Sequence, residues 1–163
     1  MAGEKIADLA RRVVAAAIAH NFIMATAESC TGGLIAAALT EIAGVSAIFH
    51  SGFVTYSNAA KTELLGVPEA LLETHGAVSE PVARAMAEGA LIRAEAHLAI
   101  AVTGIAGPGG GSAGKPVGTV WFGLARRGGE TIAVRHQFQG DRRAVRMAAA
   151  ETALILLNDA LLH

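Results

Sequence analysis

The sequence predicts an α/β fold: a three-layer α/β/α sandwich around a mixed, roughly five-stranded sheet. Three observations carry that expectation. Five short apolar segments, at 22–27, 47–56, 97–104, 117–125 and 131–138, are interleaved with helical patterns, the alternation expected of strands covered by helices. The third of them, HLAIAVTG, is continuously apolar, which suits a central strand buried on both faces. The last two flank Arg126–Glu130 with Gly128-Gly129 at the turn, the signature of a hairpin that adds antiparallel strands to the sheet. A chain of 163 residues suits one domain, here 1–163.

The elements follow in order. Residues 4–20 place Ile6, Leu9, Val13, Ala16 and Ala17 on one helical face. FIMATA (22–27) is a short apolar strand, and ESCTGG is its exit turn. The stretch 34–44 is rich in strong helix formers and ends at Gly44, a plausible C-cap. AIFHSGFVTY (47–56) alternates as a strand does. Asn58 then caps a short helix, AAKTELLG, and Pro68 opens a further helical turn toward His75. A longer helix starts at Ser79-Glu80-Pro81, with Ser79 as N-cap and proline in the first turn, where it is tolerated. After the hairpin, Asp141 caps a closing helix that runs to about Leu162.

Composition excludes several function classes. Hydrophobic residues make up 53% of the chain but aromatics only 4%, which favours tight helix–sheet packing over a stacking surface for single-stranded nucleic acid. Thirteen basic and 14 acidic residues leave a net charge of -1, without the positive excess of a nucleic-acid domain. The single cysteine can form neither an internal disulfide nor a thiolate zinc site. The six histidines are scattered, with no HExxH, so no metal site is expected. Arg11-Arg12 before VVAAAIA, with Ala25-Thr26-Ala27 as an A-x-A, superficially resembles a secretory signal. However, Glu4 and Asp8 dilute the basic start, and His20-Asn21 interrupts the apolar run. No run approaches bilayer length. A soluble, cytoplasmic protein with no membrane partner is expected.

The glycine-dense loop 105–116 contains two decoys. Residues 109–115 fit GxxxxGK, but the next residue is Pro116 instead of Ser or Thr, and a strand follows instead of a helix. Residues 109–114 fit GxGxxG, again with no helix behind them. Neither is read as a phosphate motif. The loop does leave a central strand, though, on the edge where open α/β sheets bind ligands. Its glycines let backbone N–H groups approach an anionic or carbonyl-bearing ligand.

The chemistry converges on AESCTGG (27–33). The turn puts Ser29 near a helix N-terminus, where free N–H groups favour a developing negative charge. Thr31 reads as an N-cap and Cys30 as a small buried side chain. A nucleophilic serine needs a base, and no histidine offers itself. Ser–Lys pairs are a known alternative. Lys61 falls in the first turn of the helix capped by Asn58, where the macrodipole disfavours a cation. That repulsion, with some burial, would lower its pKa toward the range a general base needs. Tyr56, the single tyrosine, ends the preceding strand and could relay a proton or orient substrate; simple packing explains it equally well. Arg142 and Arg146 are one helical turn apart and can face one way, a spacing that suits a phosphate or an ordinary solvated surface.

Taken in order, AESCTGG, YSNAAK, HGAVSE, VTGIAGPGGG with KPVGTV, and GDRRAVR resemble the CinA C-terminal domain family, from about residue 5 to about residue 160. The resemblance implies a nicotinamide-nucleotide amidohydrolase, which converts nicotinamide mononucleotide to nicotinate mononucleotide and ammonia in pyridine-nucleotide recycling. It also implies that Ser29 is the nucleophile and Lys61 its base. Backbone N–H groups of Cys30, Thr31, Gly32 and Gly33, with Thr103-Gly104, are then expected to hold the oxyanion. Tyr56 is expected to pass the proton to leaving ammonia, and Arg142 or Arg146 to hold the 5′-phosphate. No metal or organic cofactor is expected. The competence- and damage-inducible members of the family carry a further N-terminal domain. This chain starts too late to hold one, so the stand-alone form is expected. Two other readings stay open at this point: a non-catalytic nucleotide-binding or competence-associated module, and an amidase for another small amide. The Ala-rich helical surface leads us to expect a homodimer.

Overall fold

The computed structural model describes residues 2–163. Helix α1 (Ala2–His20) leads into β1 (Met24–Glu28), α2 (Leu34–Thr40), a 3-10 turn (Val45–Ala47) and β2 (Phe49–Val54). Helices α3 (Asn58–Leu65), α4 (Glu69–His75) and α5 (Glu80–Arg93) precede β3 (Leu98–Gly104). The chain then forms the hairpin β4 (Thr119–Arg126) and β5 (Ile132–Gln137), and closes with α6 (Arg142–Leu162). The five strands lie in the order β2-β1-β3-β4-β5. β1 pairs in parallel with β2 and β3, whereas β4 runs antiparallel to β3 and β5 to β4. The mixed sheet predicted from the sequence is therefore present.

Side-chain alternation divides the two cores. Met24, Leu98, Ile100, Val102, Val120 and Phe122 pack with residues of α1, α2 and α6. Ala25, Ala27, Ala99, Ala101 and Ala125 face the other way, toward α3, α4 and α5. On this second face the helix lies almost on the sheet. A Cβ added to Gly123 of β4 would stand 2.2 Å from the Ala83 carbonyl oxygen of α5. Alanine and glycine permit that approach, which is why a 53% hydrophobic chain needs so few aromatics.

Several boundaries differ from the sequence reading, the strand ends by up to two residues. α2 stops at Thr40, and Gly44, in the left-handed region at φ 89°, begins the 3-10 turn instead of ending α2. β2 accordingly starts at Phe49. Ser57, not Asn58, caps α3, its Oγ accepting from Ala60 N at 3.1 Å. The parallel pairing sets the C-terminal ends of β1, β2 and β3 along one edge, with Glu28 opposite both Val54 and Val102. That edge is where open sheets bind ligands.

Candidate active site

The turn after β1 is built by its glycines and by a carboxylate. Ser29 N–H donates to Val102 O at 2.9 Å, extending the strand ladder by one residue, and Gly32 N–H donates back to Ser29 O at 3.0 Å. Gly32 and Gly33 take φ values of 59° and 104°, conformations that an L side chain resists. Gly33 occupies the N-cap of α2 and offers no side chain. Thr31, expected to cap, is instead buried, and its Oγ1 has no partner among the described residues. Glu28 does the capping: Oε1 accepts from Ile35 N at 2.9 Å and Oε2 from Ala36 N at 3.1 Å. The α2 terminus that the sequence offered to an oxyanion is thus committed to this carboxylate.

Lys61 projects from α3 into the same place. It is 1% exposed, and its Nζ lies 3.1 Å from Ser29 Oγ, 2.9 Å from Thr55 O and 3.2 Å from Tyr56 O. Burial pulls its pKa below the ordinary lysine value, while the neighbouring Cys30 acts in the opposite sense. Desolvation, not the helix macrodipole, is therefore the main perturbation. The two carbonyls can take the two N–H bonds of a neutral amine, which leaves its lone pair directed at Ser29 Oγ–H. Cys30 is unsuited to the nucleophile's role. Burial pushes its thiol up to about 11, so the thiolate that would attack is scarce at neutral pH.

A cavity of about 260 Å³ opens over this pair, lined among others by Ser29, Cys30, Tyr56, Asn58, Lys61 and Arg142. Gly104 at the end of β3 and the loop residues Ile105, Ala106, Gly107, Gly109 and Gly110 form one side, and Ala77, Val78 and Thr103 another. Its lining contains the Arg142 guanidinium and no carboxylate, so it favours an anionic ligand. A larger space of about 370 Å³, between α3 and α4, is lined by Glu69 and Glu73 and holds no nucleophile–base pair.

The two arginines separate. Arg142 donates from Nη1 to Gly107 O at 2.8 Å and from Nη2 to the Tyr56 hydroxyl at 2.9 Å, bridging the cavity mouth. Tyr56 is 62% exposed there. Arg146 donates from Nε to Cys30 O at 3.0 Å and from Nη2 to Thr31 O at 3.3 Å, so it braces the nucleophile turn from outside the cavity lining. Of the residues singled out in the sequence, Ser29, Cys30, Tyr56, Lys61, Thr103, Gly104 and Arg142 come together at the cavity. Thr31, Gly32 and Gly33 shape the turn without lining it.

Sequence reasoning missed Glu28, Asn58 and the wall at Ala77-Val78. That wall is held at three consecutive carbonyls. Lys115 Nζ donates to His75 O at 2.5 Å, Ser79 Oγ to Gly76 O at 2.8 Å and Thr103 Oγ1 to Ala77 O at 2.9 Å. The lysine of the P-loop-like run thus has a structural use unrelated to phosphate. A signal for Glu28 was present, since it opens ESCTGG directly before the hydroxyl residue. Among the described residues no group of three or more His, Cys, Asp or Glu converges, and no helix is long and apolar enough to cross a membrane.

Comparison with known proteins agrees with the fold described above. The profile of the CinA C-terminal domain matches residues 6–161. The nicotinamide-nucleotide amidohydrolase PncC of Enterobacter agglomerans is 56% identical over 154 residues, covering 94% of this chain and 94% of that protein. The protein of the same name from Escherichia coli K12 is 53% identical, covering 94% and 93%. The crystal structure of the competence/damage inducible protein CihA from Agrobacterium tumefaciens superposes with a TM-score of 0.94 at 50% identity, covering 98% of this chain and 96% of that one. On the strength of the matched profile and these identities, the chain belongs to the CinA C-terminal domain family.

Proposed function

We propose that this protein hydrolyses the carboxamide of nicotinamide mononucleotide, giving nicotinate mononucleotide and ammonia, with Ser29 as nucleophile and Lys61 as its base. The observation that carries the reading is the buried Lys61 Nζ at 3.1 Å from Ser29 Oγ, within the reach a base needs. The substrate is suggested by the name of the PncC relatives and supported by a cavity with the Arg142 guanidinium in its lining and no carboxylate.

The neutral Lys61 amine takes the hydroxyl proton as Ser29 Oγ attacks the carboxamide carbon. The carbonyl oxygen becomes an oxyanion, and the proposed donor to it is the Cys30 N–H, next to the nucleophile, since the Gly32 N–H is already bound to Ser29 O. The proton on Lys61 passes to the amide nitrogen, directly or by way of the Tyr56 hydroxyl, the C–N bond breaks, and ammonia leaves a Ser29 ester. Water then attacks that ester, giving its proton to Lys61, which returns it to Ser29 Oγ as the carboxylate departs. Arg142 at the cavity mouth holds the 5′-phosphate, exchanging its Gly107 and Tyr56 contacts for charge-assisted bonds. In this reading the protein works in the cytoplasm, in pyridine-nucleotide recycling.

The test is ammonia release from nicotinamide mononucleotide by the wild type, Ser29→Ala and Lys61→Ala. Activity in the wild type and its loss in both folded variants is the expected result. A wild type that binds the nucleotide without releasing ammonia would overturn the proposal.

A further inference from the structure

Glu28 has no part in the mechanism above, yet it is fully buried beside the nucleophile. A carboxylate removed from water persists only where strong donors surround it. Glu28 finds them in the Ile35 and Ala36 N–H groups, at 2.9 and 3.1 Å, one for each oxygen. Ionised acceptors at a helix start make the stronger class of hydrogen bond. α2 depends on this, because it is seven residues long and its Gly33 cap has no side-chain bond; so short a helix is marginal alone.

The main chain of the same residue reaches the other half of the pair. Thr55 N–H donates to Glu28 O at 2.9 Å, and Thr55 O accepts from Lys61 Nζ at 2.9 Å. One residue therefore connects the strand end that carries Ser29, the helix that closes its turn, and the carbonyl that orients Lys61. Between the two anchor points lie Gly32 and Gly33, the most permissive residues in the turn. With one end free, they would let Ser29 Oγ drift. A misplacement of about 1 Å costs on the order of 100-fold in rate.

We propose that Glu28 is a positioning residue whose carboxylate, by pinning the first turn of α2 to the end of β1, holds Ser29 Oγ opposite Lys61 Nζ. The inference rests on the reading of Ser29 as the nucleophile, but not on the identity of the substrate.

The experiment compares the wild type with Glu28→Gln, which keeps the side-chain length but loses the charge and one acceptor. It also includes Glu28→Asp, which keeps the charge and shortens the reach toward the Ile35 and Ala36 N–H groups by one methylene. Three readouts are taken: the rate at which a small fluorophosphonate labels Ser29, followed by intact mass; kcat and KM for nicotinamide mononucleotide; and the melting transition. We expect both variants to fold, with labelling and kcat reduced about 10- to 100-fold and KM changed less than about twofold. Labelling at the wild-type rate in either folded variant would overturn the proposal, as would a raised KM at unchanged kcat. Failure of both variants to fold would also overturn it, because the carboxylate would then serve the fold and not the turn. A wild type that is labelled but silent on the nucleotide refutes the proposed substrate and leaves the labelling comparison to decide on Glu28. A wild type that is not labelled at all refutes the nucleophile and Glu28's role with it.

Discussion

Replacing Lys61 by methionine keeps most of the side chain's length and volume and deletes its amine. Nζ holds Thr55 O and Tyr56 O, and the substitution leaves both without that donor. An unpartnered buried polar group costs about 1–3 kcal/mol. Tyr56 O is only partly buried, so the two together put the expected loss of stability at about 2–4 kcal/mol. The wild type carries an opposing burden at low pH. Below the lowered pKa of Lys61 it must hold an ammonium group out of water. Between that pKa and 10.5, the ordinary lysine value, the unfolded chain binds a proton that the native protein does not. Wild-type stability therefore rises with pH through this window. The variant lacks the titration, so the gap between the two widens with pH. Urea unfolding of both proteins at about pH 7 and about pH 9.5 measures the gap. Ammonia release in the variant should fall by about 10²- to 10⁴-fold, the range expected for a lost general base. In the wild type, kcat/KM should rise with pH along a limb centred below 10.5. A gap that narrows as pH rises, or a variant within about tenfold of wild-type activity, would refute the reasoning.

Three further outcomes follow from the site. Arg142→Gln should raise KM for nicotinamide mononucleotide about 10- to 150-fold, the equivalent of about 1.5–3 kcal/mol for a charged hydrogen bond, and should barely affect the nucleoside without phosphate; equal losses on both would refute the phosphate contact. Cys30→Ala should release ammonia at close to the wild-type rate, and iodoacetamide should leave the native thiol unmodified at neutral pH, because burial holds it at about 11. Lys115→Met should loosen the Ala77-Val78 wall and raise KM about two- to tenfold at nearly constant kcat, the effect of one hydrogen bond worth roughly 0.5–1.5 kcal/mol; steady-state kinetics distinguish this from a fall in kcat.

Local patterning made much of this molecule legible. The continuous apolar run at 97–104 became the central strand β3, and the glycine pair at 128–129 became the hairpin turn. Asp141 caps α6 as expected, accepting from Ala144 N at 2.9 Å. What escaped depended on partners distant in the chain. Helical spacing lets Arg142 and Arg146 share a face, but only the fold decides that one meets Tyr56 and the other Cys30. Lys61 was conspicuous in the sequence as a cation in a first helical turn. Its chief perturbation is burial beside Ser29, which no local window reveals. Thr31 was assigned a cap because its type suits one. Glu28, seven and eight residues upstream of the N–H groups it binds, took that place from the neighbouring strand.

The central claim is that Ser29, activated by Lys61, is acylated during turnover. Acid quenching of the wild type while it consumes nicotinamide mononucleotide, followed by peptide mapping, tests it most directly. The account predicts the substrate's acyl group as an ester on Ser29, and no ester when Lys61 is replaced by methionine. An adduct on Cys30 or Tyr56, or undiminished ammonia release by Ser29→Ala, would contradict it.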